Sequence, residues 1–264
     1  VHPEEVAAIV QKILTYSERG DWGPWRRDVV WVTNEESVMQ SWSDELARGL
    51  APRGFAARKV YPAPEGEQAP HDQDQLLAAL DHGQLLVHFI GHGGRFIWRT
   101  GPPDWTKHRD LFNLSDIDRL KPSGRLPIIL SMTCYSAPFD HPTADSIGEK
   151  FLRTPERGAI AVVAASWRNA PYKVMSENLI RHLLTPETTV GEAILKAKRE
   201  SSDVEFIRQY NLLGDPALQL ALPSGDLLLE VPKEGYEKML TVRAPNSAKP
   251  SDAKLNGKLR IDWL

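Results

Sequence analysis

The chain holds a single cysteine, Cys134, which stands just past an apolar run at residues 126–132 (LPIILSM). A histidine, His92, stands just past a second run at residues 85–90 (LLVHFI), inside Gly91-His92-Gly93-Gly94. A thiol attacks as the thiolate, and a nearby imidazole in a polar pocket makes that state accessible near neutral pH. The two side chains are the minimum equipment for nucleophilic cleavage of an acyl bond. The glycines around His92 let the backbone turn sharply and approach a substrate closely. The backbone N–H groups of Gly93 and Cys134 are then candidates for an oxyanion hole, which stabilises charge developing on a scissile carbonyl. Each residue alone has a blander reading. A cysteine closing an apolar strand is most often a small buried hydrophobe, and a lone histidine most often plays a structural part. Their joint placement at strand ends carries the chemical reading.

The surrounding pattern says how the two residues are positioned. Residues 28–33 (DVVWVT), 55–61, 84–90, 126–132 and 158–165 (GAIAVVAA) read as five strands. Helical spacing is found at 6–14, 38–50, 72–80, 143–152, 173–184 and 190–201. A short helix at 115–120 reads as capped by Ser115, Gly83 as a C-cap, and Thr188 or Thr189 as an N-cap. The Pro- and Gly-rich stretches 20–24 and 62–70 read as breaks, and 93–110, with Trp98 and Trp105, as too irregular to form an element. Strands apolar along their whole length, alternating with helices, predict a mostly parallel sheet covered on both faces. Ligands of such sheets sit beyond the carboxyl ends of the strands. Forty-two residues separate His92 from Cys134, enough for one helical crossover and a loop.

The division expected is a catalytic domain at 1–223 and a short β segment at 224–264, with strands at 226–231, 239–242 and 258–261. The latter is an appendage or the start of an Ig-like domain, since a complete sandwich takes about 100 residues. A net charge of -3 in 264 residues calls for neither nucleic acid nor an anionic membrane. One cysteine excludes an intrachain disulfide framework and a multi-thiolate metal site. No run approaches the roughly 20 apolar residues that span a bilayer. Neither a phosphate-binding Gly-rich loop nor H-E-x-x-H is present. The chain begins with Val, so a longer precursor is expected.

GHGG at 91–94, SMTCYSAPFD at 131–140 followed by Asp145-Ser146, GAIAVVAAS at 158–166 and YNLLGDPAL at 210–218 together resemble the gingipain-type cysteine peptidases of the caspase–gingipain clan. The resemblance runs in order from about residue 9 to 220. It implies a caspase-like three-layer α/β/α sandwich, with His92 as catalytic histidine, Cys134 as nucleophile, and the N–H groups of Gly93 and Cys134 as oxyanion hole. It implies a cysteine endopeptidase acting on protein or peptide substrates through a thioester, secreted or at the cell surface, with no cofactor required. The rival expectation is a catalytically idle interaction module of the same fold.

Three further assignments follow from the resemblance. Glu35 and Glu36, just past the carboxyl end of the first strand, are by topology the nearest candidates to orient His92; both are equally readable as solvated loop carboxylates. Gingipains proper cleave after Arg or Lys, so Asp140 and Asp145 are candidates to face a basic side chain, although Asp145 also fits the start of a helix. Trp167 is a candidate wall of that pocket and Trp98 a candidate wall of the cleft's other side. Calcium is left open as a structural ion through Asp104, Asp116 and Asp118, none of which has the spacing of a calcium loop. Asp215 reads as a structural turn residue.

Overall fold

A computed structural model describes residues 2–18, 23–62, 69–104, 110–223, 228–230 and 241–243. Two compact units are present, Val1–Leu222 and Pro223–Leu264. The first opens with helix α1 (Pro3–Glu18), strand β1 (Asp28–Thr33), α2 (Ser37–Leu50), β2 (Ala56–Val60), α3 (Ala69–His82) and β3 (Leu86–Ile90). Three short strands follow, β4 (Gly93–Gly94), β5 (Ile97–Arg99) and β6 (Asp110–Asn113). Next come α4 (Leu114–Arg119), β7 (Ile128–Met132), α5 (Ile147–Arg153), β8 (Ala161–Ala165), α6 (Lys173–Leu183), α7 (Val190–Arg199), α8 (Val204–Gln209) and β9 (Tyr210–Leu213). In the second unit β10 (Leu228–Glu230) pairs antiparallel with β11 (Thr241–Arg243). The strand read at 258–261, the break at 20–22, most of the loop at 62–70 and Trp105 lie outside the described residues.

The main sheet has the order β2-β1-β3-β7-β8-β9. Its first five strands are parallel and β9 is antiparallel to β8. Side chains of a strand alternate between faces, so a sheet covered on both faces needs apolar residues at every position. Trp31, Leu86, Ile90, Leu130, Met132 and Val163 bury one face under α2, α6, α7 and α8. Val30, Val87, Phe89, Ile129 and Val162 bury the other under α3, α4 and α5. The result is a three-layer α/β/α sandwich.

Several local expectations change. The stretch read as irregular, 93–110, supplies β4, β5 and the first residue of β6 to a three-stranded antiparallel sheet, β4-β5-β6. Trp98 on β5 is fully buried and stacks on Phe89 with ring centroids 4.7 Å apart, so it is core and walls no cleft. The cap of α4 is Asn113, whose side chain accepts from Ser115 N; Asp116 completes a capping box by returning to Asn113 N. Helix α5 starts only after Ser146, whose hydroxyl accepts from Glu149 N at 3.2 Å. Thr189 caps α7, and Gly83 after α3 has φ +89°. The antiparallel edge strand β9 escapes the sequence pattern because it is short and only Tyr210 in it is buried. Asp215 is a turn residue, accepting from Ala217 N at 2.8 Å. Among the described residues no helix is long and apolar enough to cross a membrane.

Helix α1 docks differently from its apolar spacing. Val6, Val10 and Leu14 are exposed, and the buried positions are Lys12 and Tyr16. The Lys12 ammonium donates to the carbonyls of Phe151 at 3.2 Å and Arg157 at 3.0 Å. Burial pulls its pKa down to about 7. The unfolded chain therefore binds the extra proton between about pH 7 and pH 10, and stability rises with pH across that window. Urea midpoints of the wild type are expected to climb from about pH 7 to about pH 9, and those of Lys12→Met to stay flat over the same interval.

Candidate active site

Parallel pairing sets the site. Ile90 on β3 lies opposite Met132 on β7. His92 and Cys134 are each two residues beyond that pair, so they leave adjacent strands at one level of the sheet. Neighbouring strands lie about 4.8 Å apart, which brings both exits to one cleft.

Gly93 joins the two exits. Its carbonyl accepts from Cys134 Sγ at 3.4 Å. A Cβ on Gly93 would lie 2.7 Å from Thr133 Cγ2 and 2.8 Å from its Oγ1, so only glycine permits this approach. Cys134 is free and partly buried. Tyr135, directly after it, has φ +53°, a left-handed backbone that costs a non-glycine residue about 1–3 kcal/mol. The surroundings hold it there: Tyr135 N donates to Trp167 O at 3.0 Å, and the two rings meet edge to face at 5.5 Å. Behind the turn, Trp98 Nε1 donates to Ser131 Oγ at 2.9 Å and Ser131 Oγ donates to Ser136 Oγ at 2.9 Å.

Glu36, the residue before α2, pairs with His92: its Oε2 lies 3.0 Å from Nε2. The same oxygen accepts from Asn34 Nδ2 at 2.6 Å, and Glu36 N donates back to Asn34 Oδ1 at 3.3 Å. A carboxylate fixed this way sets the imidazole ring and stabilises it when it takes up a proton. Glu35 differs in placement; its backbone N–H donates to Thr100 O at 2.6 Å. Asn34 gives no sign in the sequence beyond its place after a strand. The chain's other strand histidine, His88, is fully buried, bonded to Ser176 Oγ at 2.8 Å and 5.3 Å from the Trp31 ring centroid. Burial pulls its pKa down to about 3, so it stays neutral and belongs to the core.

The carboxylates placed in a basic-specificity pocket have partners within the protein. Asp140 is held by Arg95, and that hydrogen bond keeps its pKa below the usual range. Asp145 is held by Arg153, which also bonds Glu149 at 3.0 Å. Trp167 lies beside Tyr135 and is 56% exposed. Arg95 is a residue the sequence did not single out. Asp116 and Asp118 are also engaged, the first by Asn113 N, Gln73 and Arg119 and the second by Lys150. Among the described residues no group of three or more His, Cys, Asp or Glu is placed to hold a metal ion.

Residues 2–221 match the model of peptidase family C25. The chain belongs to that family. Similar solved structures include the Arg-specific cysteine proteinase gingipain R, with 19% identity and a TM-score of 0.68 over 87% of this chain and 56% of that one. The complex of the Porphyromonas gingivalis RgpB pro- and mature domains gives 17% identity and a TM-score of 0.69 over 87% and 57%. A structure described only as a protease gives 14% and 0.65 over 91% and 60%. At these identities the likeness is one of fold, and the chain spans a little over half the length of the gingipain chains it resembles. No curated protein matches it.

Glu36→Gln is expected to lower kcat/KM by at least about tenfold, toward the roughly 10⁴-fold loss seen when a triad carboxylate is neutralised. Glu35→Gln is expected to stay within about threefold of wild type, and steady-state kinetics of the two side by side decide which carboxylate orients His92.

Proposed function

We propose that this chain is the catalytic domain of a cysteine endopeptidase. The observation that carries the reading is the common exit of His92 and Cys134 from neighbouring parallel strands, with His92 held by Glu36 and the thiol seated against Gly93. Cys134 Sγ attacks the carbonyl carbon of the scissile peptide while its proton passes to His92. The N–H groups of Gly93 and Cys134 receive the oxyanion. His92 returns the proton to the departing amine, leaving a thioester on Cys134 and a free amino terminus. His92 then takes a proton from water as the water attacks the thioester, and the acid product departs with the thiol restored. Throughout, the carboxylate of Glu36 offsets the charge that His92 gains.

The RgpB structure contains pro- and mature domains. That likeness supports the reading that this chain is part of a longer precursor acting on protein; we further propose that it works at the cell surface or beyond and that the second unit belongs to a further β domain. The proposed chemistry draws on the thiol, the imidazole, the Glu36 carboxylate and the two backbone N–H groups. The exposed aromatics beside the nucleophile, Trp167 and Phe139, are surfaces on which a peptide can lie.

A pooled fluorogenic peptide library is expected to be cleaved by the wild type. Cys134→Ala is expected to lose roughly 10⁴-fold or more, the scale of removing a nucleophile. Equal rates for the two proteins, or none for either after limited proteolysis, would give the idle interaction module the better claim. The preferred residue before the cut is expected to be unchanged in Asp145→Asn, because Arg153 already holds that carboxylate.

A further inference from the structure

We infer that Arg95 is a positioning residue of this site: it holds the chain behind the nucleophile in the shape from which Cys134 attacks. The inference rests on the reading of Cys134 as nucleophile. Arg95 sits between β4 and β5, in the loop that begins with His92, yet its guanidinium reaches the connection from Cys134 to α5. Nη1 donates to the carbonyls of Pro138 at 3.5 Å and Ala144 at 3.3 Å. Nη2 donates to the Tyr135 hydroxyl at 3.2 Å and to Asp140. Its Cζ is 5.3 Å from the centroid of the Tyr135 ring, and its own carbonyl accepts from Ile147 N at 2.6 Å. The side chain is only 11% exposed.

One planar cation thus gathers residues 135, 138, 140 and 144, most of the span between the nucleophile and α5. Tyr135 is the residue whose backbone is strained, and its φ sets the direction in which the chain leaves Cys134. Strain of that kind persists only where several contacts fix the residue. Trp167 fixes the backbone of Tyr135, and Arg95 fixes its ring and hydroxyl. Asp140 contributes least, because it is 60% exposed and an exposed ion pair is weak. A lysine has the charge but not the fork of donors that reaches two carbonyls and a hydroxyl together.

The test compares Arg95→Met, Arg95→Lys, Tyr135→Phe and Asp140→Asn with wild type. It reads kcat and KM on the best library peptide, the urea midpoint, and the rates of Cys134 modification by iodoacetamide and by a peptidyl acyloxymethyl ketone. A shift of the attacking atom by about 1 Å costs about 100-fold, so Arg95→Met is expected to lower kcat by about 10- to 100-fold with KM within about threefold. The peptidyl reagent, which needs the aligned site, slows with kcat, whereas iodoacetamide, which needs an accessible thiolate but no alignment with a bound peptide, keeps its rate. Arg95→Lys falls with Arg95→Met, Tyr135→Phe falls part of the way, and Asp140→Asn stays near wild type. Tyr135→Gly, placed in the Arg95→Met background, restores part of kcat because glycine holds φ +53° without strain. Wild-type kcat in Arg95→Met overturns the inference, as does full activity in Arg95→Lys or a loss that follows only the unfolded fraction. A wild type that neither cleaves peptide nor reacts with the peptidyl reagent overturns the peptidase reading as well. If Arg95→Met does not fold, Tyr135→Phe decides by the same ratio of the two modification rates.

Discussion

The register between β3 and β7 is the constraint on which the site depends. In a parallel pair a slip of one residue turns every side chain of the strand to the other face. Here both faces are dry, so a slip is resisted by more than lost apolar contact. His88 on β3 is bonded to Ser176 on one face, and Ser131 on β7 accepts from Trp98 on the other. Turning either strand over would strip these buried polar groups of their partners, each at a cost of about 1–3 kcal/mol. Two polar contacts, one per face, therefore act with the apolar layers to keep Ile90 opposite Met132. That alignment is what makes the strand exits of His92 and Cys134 neighbours.

Charge around these exits is matched within the protein. Glu36 faces His92, Asp140 faces Arg95, Asp145 faces Arg153, and Glu45 on α2 faces Lys173 on α6. The first pair differs in kind from the others because its cation forms only when His92 takes a proton. Asn34 bonds the same Glu36 oxygen, so the carboxylate keeps its place whether or not the ring is charged. The remaining pairs hold loops in shape, and a basic side chain brought to Asp140 would compete with the nearly buried guanidinium of Arg95.

The sheet was legible in the sequence because burial on both faces makes each central strand a continuous apolar run. The same rule placed His92 and Cys134 at strand ends, since such runs stop where the chain leaves the sheet. Other features had no such signature. Strand β4 is two glycines, which carry no side-chain pattern, and Trp98 looked like a cleft residue only because its strand was not recognised. The choice between Glu35 and Glu36 depends on one backbone turn after β1, below what spacing resolves. Asp140 and Asp145 looked available because their partners, Arg95 and Arg153, lie on other segments of the chain. Two of the four groups that Arg95 bonds are carbonyls, which are the same in every sequence, and the other two lie about 40 residues away along the chain. On α1 only part of the apolar stripe, Ile13 among it, packs on the core; the fully buried positions are a lysine bonding to carbonyls and Tyr16.

The site is built as a succession of exits, each held by the one before it in the sheet order β1-β3-β7-β8. The exit of β1 supplies Asn34 and Glu36, which fix His92 on the exit of β3. The exit of β3 supplies Gly93 and Arg95, which seat the thiol and hold Tyr135 on the exit of β7. The exit of β8 supplies the Trp167 carbonyl that closes the turn from the far side. Single hydrogen bonds of this kind contribute only about 0.5–1.5 kcal/mol each. They suffice because each exit is anchored at a buried strand end, so the residues next to it have little freedom left to lose. A strained residue directly after Cys134 is sustainable under those conditions, since the neighbouring exits constrain it on both sides.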